Sequence, residues 1–265
     1  MSINFCSFSS GSSGNSYLVS SRETALLIDA GISGKKILEG LASSATPPEK
    51  VKGLLVTHEH IDHVRSLSVV TKKLPLVQAY ANQQTWSVLG NKVREDRRQI
   101  FVTGQRFQIG DIEVKSFPIS HDAVEPVGFS FFAGGKQISI VTDTGHINDE
   151  IYGEIQDADI LVLESNHDIN MLKMCSYPWN VKQRILGKAG HLSNEDAASA
   201  LCRLISAGDK SRRILLAHLS RENNFPEMAF QTVRNLLQEE EIYLGDRVTI
   251  ETIIKDQISP VYVCP

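Results

Sequence analysis

The chain has 265 residues, of which 42% are hydrophobic and 22% charged, with a formal net charge of -4. Such a length fits one large domain or two small ones, and the apolar share excludes a disordered chain. The acidic balance excludes a protein coated in positive charge but leaves room for a local basic groove, because phosphate contacts need only a few placed Lys or Arg.

Residues 1–20 show no basic stretch followed by an apolar one, so no signal peptide is expected. Residues 16–20 and 24–29 predict two strands of a hairpin joined by a polar turn. Residues 51–57 (VKGLLVT) predict a buried strand, entered through a loop at 45–50 that carries Pro47 and Pro48. Residues 62–73 carry a helical pattern. Strands follow at 110–118 and 128–132, and Gly134-Gly135 makes a tight turn into a further strand at 137–142 (QISIVT). Residues 159–164 (DILVLE) and 213–218 (RILLAH) predict two more buried strands with polar ends. Helices are predicted at 194–207, with Ser193 or Asn194 as N-cap, and at 226–239, opened by Pro226 where a missing N–H costs little.

No linker, low-complexity tract or strong internal repeat stands out, and one α/β domain over residues 1–265 is expected, with two layers of strand and outer helices. No apolar run approaches the roughly 18–20 residues that span a bilayer, so no membrane partner is expected. Cys6, Cys175, Cys202 and Cys264 form no CxxC pair. They read as buried small hydrophobes in a reduced, cytoplasmic protein rather than as a disulfide framework.

The chemistry is announced by His58-Glu59-His60-Ile61-Asp62-His63, directly after a buried strand. In an extended loop, side chains two apart point the same way, so His58 and His60 can grip one ion. Where the chain turns into a helix, Asp62 and His63 project elsewhere and can grip a second. Two-metal hydrolases need ions only about 3.5–4 Å apart. An HExxH site is excluded because position 62 is Asp. Further ligands must come from afar, and the candidates stand at the ends of apolar strands: Asp29, His121, Asp143 and His218.

With these residues the chain resembles the metallo-β-lactamase superfamily. The resemblance implies a four-layer αββα sandwich with metals at one edge of the two sheets. It implies that His58, His60 and His121 bind a first metal, that Asp62, His63 and His218 bind a second, that Asp143 bridges both, and that Asp29 orients the loop. An Asp rather than a Cys bridge is similar to the hydrolase and nuclease branches. SFSSGSSGNSYLV, THEHIDHVRSL, ESNHD and GHLSNEDA together resemble the bacterial YycJ/WalJ-like group. That group implies a DNA-directed nuclease, with 5′-to-3′ exonuclease action favoured. The chain lacks a β-CASP insertion and a Gly/Pro-rich arm of the RNase Z kind, which departs from tRNA-precursor and long-RNA enzymes. A small-molecule hydrolase of the same fold, acting on cyclic phosphodiesters, lactones or thioesters, is the alternative.

The ligand set contains no thiolate, which suits two divalent ions: zinc or manganese, with iron or nickel also accepted. Such ions supply hydroxide near neutral pH for in-line attack on phosphorus. The segment around His191 resembles the short His-Ser/Thr loop of RNase Z-type phosphodiesterases. His191 or His167 is expected to donate a proton or hydrogen bond to the departing oxygen. Lys173, Lys182, Arg184 and Lys188 stand in a stretch without acidic residues, with Tyr177 and Trp179 interleaved. They are candidates for phosphate and base contacts, against a plain solvated helix as the alternative. Ser13 and Asn15, in the Ser/Gly run, are candidates for holding a phosphate, against a simple β-turn.

Overall fold

The computed structural model describes residues 2–264. The strands in chain order are β1 (Asn4–Ser9), β2 (Ser16–Ser20), β3 (Ala25–Ile28), β4 (Val51–Leu55), β5 (Gln78–Asn82), β6 (Arg98–Phe101), β7 (Arg106–Ile109), β8 (Ile112–Pro118), β9 (Val127–Ala133), β10 (Lys136–Val141), β11 (Ile160–Glu164), β12 (Arg212–Ala217), β13 (Val248–Thr252) and β14 (Tyr262–Val263). Among the described residues they make two seven-stranded sheets, ordered β14-β1-β2-β3-β4-β5-β6 and β13-β12-β11-β10-β9-β8-β7. Each sheet runs through antiparallel pairings on one side and parallel pairings on the other. The change comes at β3 in the first sheet and at β10 in the second.

Period-two alternation sets the layers. Leu26 and Ile28 of β3, Ile138 and Ile140 of β10, and Ile160 and Val162 of β11 meet in the core between the sheets. Ala25 and Leu27 face the other way, against α1 (Gly34–Ser43), α2 (Ile61–Val64), α3 (Leu67–Lys73) and α4 (Gln83–Leu89). Leu161 and Leu163 likewise face outward, against α5 (Asp149–Ile155), α8 (Asn194–Ser206) and α9 (Pro226–Glu239). The result is helix, sheet, sheet, helix. Two further helices, α6 (Ile169–Met174) and α7 (Trp179–Leu186), lie outside these cores, and each buries a single residue: Leu172 and Lys182.

Several expectations hold closely. β2 and β3 form the hairpin, α9 covers the expected span, and Ser193 rather than Asn194 caps α8, its side chain accepting from the Asp196 N–H. The helical pattern at 62–73 is instead two helices, α2 and α3, because the backbone leaves helical geometry at Ser66 (φ -106°, ψ 11°). The cysteines are unpaired as expected, but Cys6 alone is buried and the other three are half-buried. Among the described residues no helix is long and apolar enough to cross a membrane.

Candidate metal centre

The carboxyl ends of β3, β4, β10, β11 and β12 open at one edge of the sandwich, and the residues that follow them converge there. After β4 the chain bends at Thr57 and at Glu59 before His60, which precedes the first turn of α2. The rings of His58 and His60 nevertheless meet, and Asp62 and His63 are carried round by the helix. His58 Nε2 lies 3.1 Å from His60 Nδ1, and His121 Nε2 lies 3.3 Å from that same atom. Nearby, His63 Nε2 lies 3.5 Å from Asp62 Oδ2.

Asp143 stands between the two groups. Its Oδ2 is 3.4 Å from His63 Nε2, and its Oδ1 is 3.4 Å from His218 Nε2 and 3.9 Å from His121 Nε2. Asp143 Oδ2 and His218 Nε2 are buried and have no hydrogen-bond partner. An unpaired buried carboxylate oxygen costs roughly 1–3 kcal/mol or more. Imidazole nitrogens and carboxylate oxygens facing one another without mutual hydrogen bonds fit a divalent cation. Four overlapping sets have ligand atoms close enough to hold one: His58, His60 and His121; Asp62, His63 and His218; His58, His63 and Asp143; and Asp143, Glu164, His191 and His218.

Two buried carboxylates orient these imidazoles from behind. Asp29 accepts from the Thr57 N–H at 2.9 Å and from Thr57 Oγ1 at 2.9 Å, and it lies 2.7 Å from His63 Nδ1. Glu164 Oε1 lies 2.7 Å from His218 Nδ1 and 2.8 Å from His191 Nδ1, and Oε2 accepts the Thr144 and Leu192 N–H groups. Burial opposes the charge on Glu164, but His191 and His218 outweigh it and hold the carboxyl well below the usual range. Burial equally opposes a charged His191, yet the facing Glu164 pushes its pKa up to about 9. The Glu164 role was absent from the sequence reading. Its signal was a carboxylate closing the otherwise apolar strand ILVLE, a position that buries it completely. Glu164→Gln keeps the size and removes the charge. Metal affinity is expected to fall roughly 10- to 100-fold, measured by chelator competition. Unchanged affinity would reduce Glu164 to a packing role.

Strain marks the same places. Asp29 (φ 61°), Asp143 (φ 60°) and His218 (φ 56°) all adopt the left-handed region just past β3, β10 and β12. Asp tolerates this conformation better than most residues, whereas for His218 it costs of order 1–3 kcal/mol. The backbone is held by its surroundings: Ser10 Oγ accepts the His218 N–H at 2.8 Å, and the Asp29 N–H reaches Leu55 O at 2.8 Å.

The Ser/Gly run braces the metal loop from the side. The Asn15 N–H donates to Asp62 O at 2.8 Å and the Ala30 N–H to His63 O at 2.7 Å. The Gly11 N–H donates to Asn15 Oδ1 and the Gly14 N–H to Gly11 O, so these two amides are engaged internally. Ser13 is exposed, and Asn15 is fully buried with its amide turned to His63.

The two candidate proton donors separate. The His191 side chain is 22% exposed, with its ring 5.1 Å from that of His121 and 5.3 Å from that of His218. His167 is sealed at 1% exposure, joins none of the four sets, and leaves both ring nitrogens without a partner. Burial pushes His167 down to about 4, against about 6.5 in an unfolded chain. Between those values the unfolded chain binds the extra proton. This contribution to stability is therefore complete above about pH 6.5 and is lost as pH falls towards 4. At pH 5 the loss is on the order of 2 kcal/mol. Urea unfolding at pH 7.5 and pH 5 should show a smaller acid loss in His167→Leu than in the parent, and equal losses would contradict this assignment.

Of the basic candidates, Lys173, Arg184 and Lys188 are exposed, and Arg184 pairs with Asp122 beside His121. Lys182 must be removed from the set. It is buried, and its ammonium donates to Lys173 O and Cys175 O, both at 2.7 Å, satisfying carbonyls at the end of α6. Trp179 is 62% exposed and Tyr177 half-buried.

The description "Beta-lactamase superfamily domain" matches residues 24–219. The chain belongs to this superfamily. Within it, the chain is 40% identical over 256 residues to "Exodeoxyribonuclease WalJ" of Streptococcus pneumoniae, covering 95% of this chain and 94% of that one. It is 41% identical over 254 residues to "Exodeoxyribonuclease YycJ" of Bacillus anthracis, covering 94% and 95%. These matches place the chain in the YycJ/WalJ-like group of the superfamily. The fold is shared with the metallo-β-lactamase fold protein YhfI from Bacillus subtilis, with a TM-score of 0.71 at 14% identity over 97% of this chain and 99% of that one. The αββα sandwich is thus that of metallo-β-lactamase proteins, and together with the His/Asp cluster it indicates divalent-metal binding.

Proposed function

We propose that this chain is a dinuclear metal-dependent phosphodiesterase that shortens DNA, with 5′-to-3′ polarity favoured. The observation that carries the reading is the position of Asp143 among four overlapping ligand sets, 3.4 Å from His63 Nε2 on one side and 3.9 Å from His121 Nε2 on the other. Kinship to two proteins named exodeoxyribonucleases supports the substrate class. His58, His60 and His121 would hold one ion, Asp62, His63 and His218 the other, and Asp143 both. Zinc or manganese suits these donors best, and iron or nickel is accepted. Bound there, such ions lower the pKa of water towards neutrality and polarise a phosphoryl oxygen.

The chain's own residues do the rest. Asp29 and Glu164 fix the ring planes of His63 and His218. Glu164 engages Nδ1 of His191, which leaves Nε2 as the nitrogen that would offer a proton or hydrogen bond to the departing oxygen. Lys173, Arg184, Lys188 and Ser13 would contact phosphates flanking the cut, and Trp179 and Tyr177 would stack on bases. Each three-residue set draws on both sheets, so residues 1–265 act as one domain. Four unpaired cysteines are in keeping with work in the cytoplasm.

End-labelled single- and double-stranded DNA, RNA and bis(p-nitrophenyl) phosphate, each with manganese or zinc, test the reading against an Asp62→Ala control. Metal-dependent shortening of DNA from its 5′ end, lost in the control, is expected. Hydrolysis of the small diester alone would move the assignment to a small-molecule phosphodiesterase.

A further inference from the structure

We infer that Asn15 is a substrate-binding residue whose side-chain amide donates a hydrogen bond to a phosphoryl oxygen at the metal pair. The inference rests on the phosphodiesterase reading and adds to it a donor that is neither a metal ligand nor a base. Asn15 follows the Ser/Gly run and enters β2, and its side chain is fully buried. The orientation of the amide is set by its neighbours. Oδ1 accepts the Gly11 N–H at 2.9 Å, and Tyr17 Oη donates to the same oxygen at 3.4 Å. A backbone N–H can only donate, so the atom facing Gly11 must be the oxygen and the NH2 group must point the other way.

That other way leads into the site. Nδ2 lies 3.1 Å from His63 Nε2, the atom that also faces Asp62 and Asp143. With Nδ1 of His63 engaged by Asp29, Nε2 is the nitrogen left to bind a metal, and a lone pair given to a metal no longer accepts from Asn15. The amide would then be a buried donor with no protein acceptor. A phosphoryl group bound at the site would supply one, an anionic oxygen within reach of the fixed N–H. A preorganised donor of this kind needs no rearrangement when charge builds on phosphorus. The brace described above fixes its position, because the Asn15 N–H is tied to Asp62 O and Asn15 O accepts from Gly31.

Two variants separate donation from support. Asn15→Asp keeps the shape and the acceptor for Gly11 but replaces the donor with an anion. Asn15→Ala removes both. The metal-loaded proteins are compared by metal content, by calorimetric binding of inorganic phosphate and by turnover of bis(p-nitrophenyl) phosphate. Metal content equal to that of the parent, phosphate affinity weakened about tenfold or more, and kcat lowered roughly 10²-fold are expected in both variants. Asn15→Asp should be the weaker phosphate binder of the two. Parental phosphate affinity in Asn15→Asp would overturn the inference, and so would loss of metal in step with loss of phosphate, which would make Asn15 a support for the metal loop. If the parent binds phosphate but cleaves no diester, the phosphodiesterase reading fails, while the phosphate comparison still decides the role of Asn15.

Discussion

Asp143→Asn should abolish metal-dependent hydrolysis while leaving the fold in place. Asn tolerates the left-handed backbone at φ 60° nearly as well as Asp, so the turn after β10 survives. What disappears is the one carboxylate that reaches His63, His121 and His218 together. Lewis-acid stabilisation is worth several kcal/mol, and each 1.4 kcal/mol is about tenfold, so turnover should drop by roughly 10³-fold or more. Turnover within about tenfold of the parent would refute the bridging role. A lowered melting temperature of the metal-free protein would show instead that the substitution harms the fold.

A second large effect is expected at a residue with no functional group. A Cβ on Gly31 would lie 1.5 Å from Asp62 O and 2.7 Å from the Asn15 backbone nitrogen. Both neighbours are backbone, so neither yields by rotating a side chain. Gly31→Ala must push the metal loop away from the Ser/Gly run, breaking the Asn15–Asp62 bond and displacing Asp62 and His63. Overpacking of this severity costs at least about 3 kcal/mol, and metal affinity should fall by roughly 10²-fold or more. Gly153→Ala, within α5 where nothing lies within 4 Å of the added methyl, is the control. It should be neutral or stabilising by up to about 1 kcal/mol. Calorimetric melting and chelator competition report both quantities, and parental values for Gly31→Ala would dismiss the buttress.

The parts of this molecule legible in the sequence share a physical cause. β3, β4, β10, β11 and β12 are buried on both faces, so they read as apolar runs, and the site residues stand where those runs stop. β1, by contrast, is NFCSFS, and its serines obscure the strand. Ser7 and Ser9, like Ser10 beside His218, are buried polar residues whose place depends on distant neighbours. α6 and α7 each bury a single residue, and in α7 that residue is Lys182, a side-chain type that reads as an open charge until its two carbonyl partners are known. Glu164 escaped because a carboxylate ending a strand resembles any polar terminus until the imidazoles opposite it are known. The matching succession of pairings in the two sheets is echoed locally in residue identity: Asp29 and Asp143 stand past corresponding strands with nearly equal φ, and each is followed two residues on by a glycine, Gly31 and Gly145.

The split origin of the ligands has a consequence for assembly. His58, His60, Asp62 and His63 leave the first sheet, whereas His121, Asp143 and His218 leave the second. A bound ion is thus a rivet through the seam between two half-molecules, and it closes only when both are docked. Occupancy adds RT ln(1 + [M]/Kd) to the stability of the assembled state, so withdrawing metal removes that contribution. The same arrangement is a safeguard. A chain with only one half formed cannot assemble the cutting centre, and its reactivity is withheld until folding is complete.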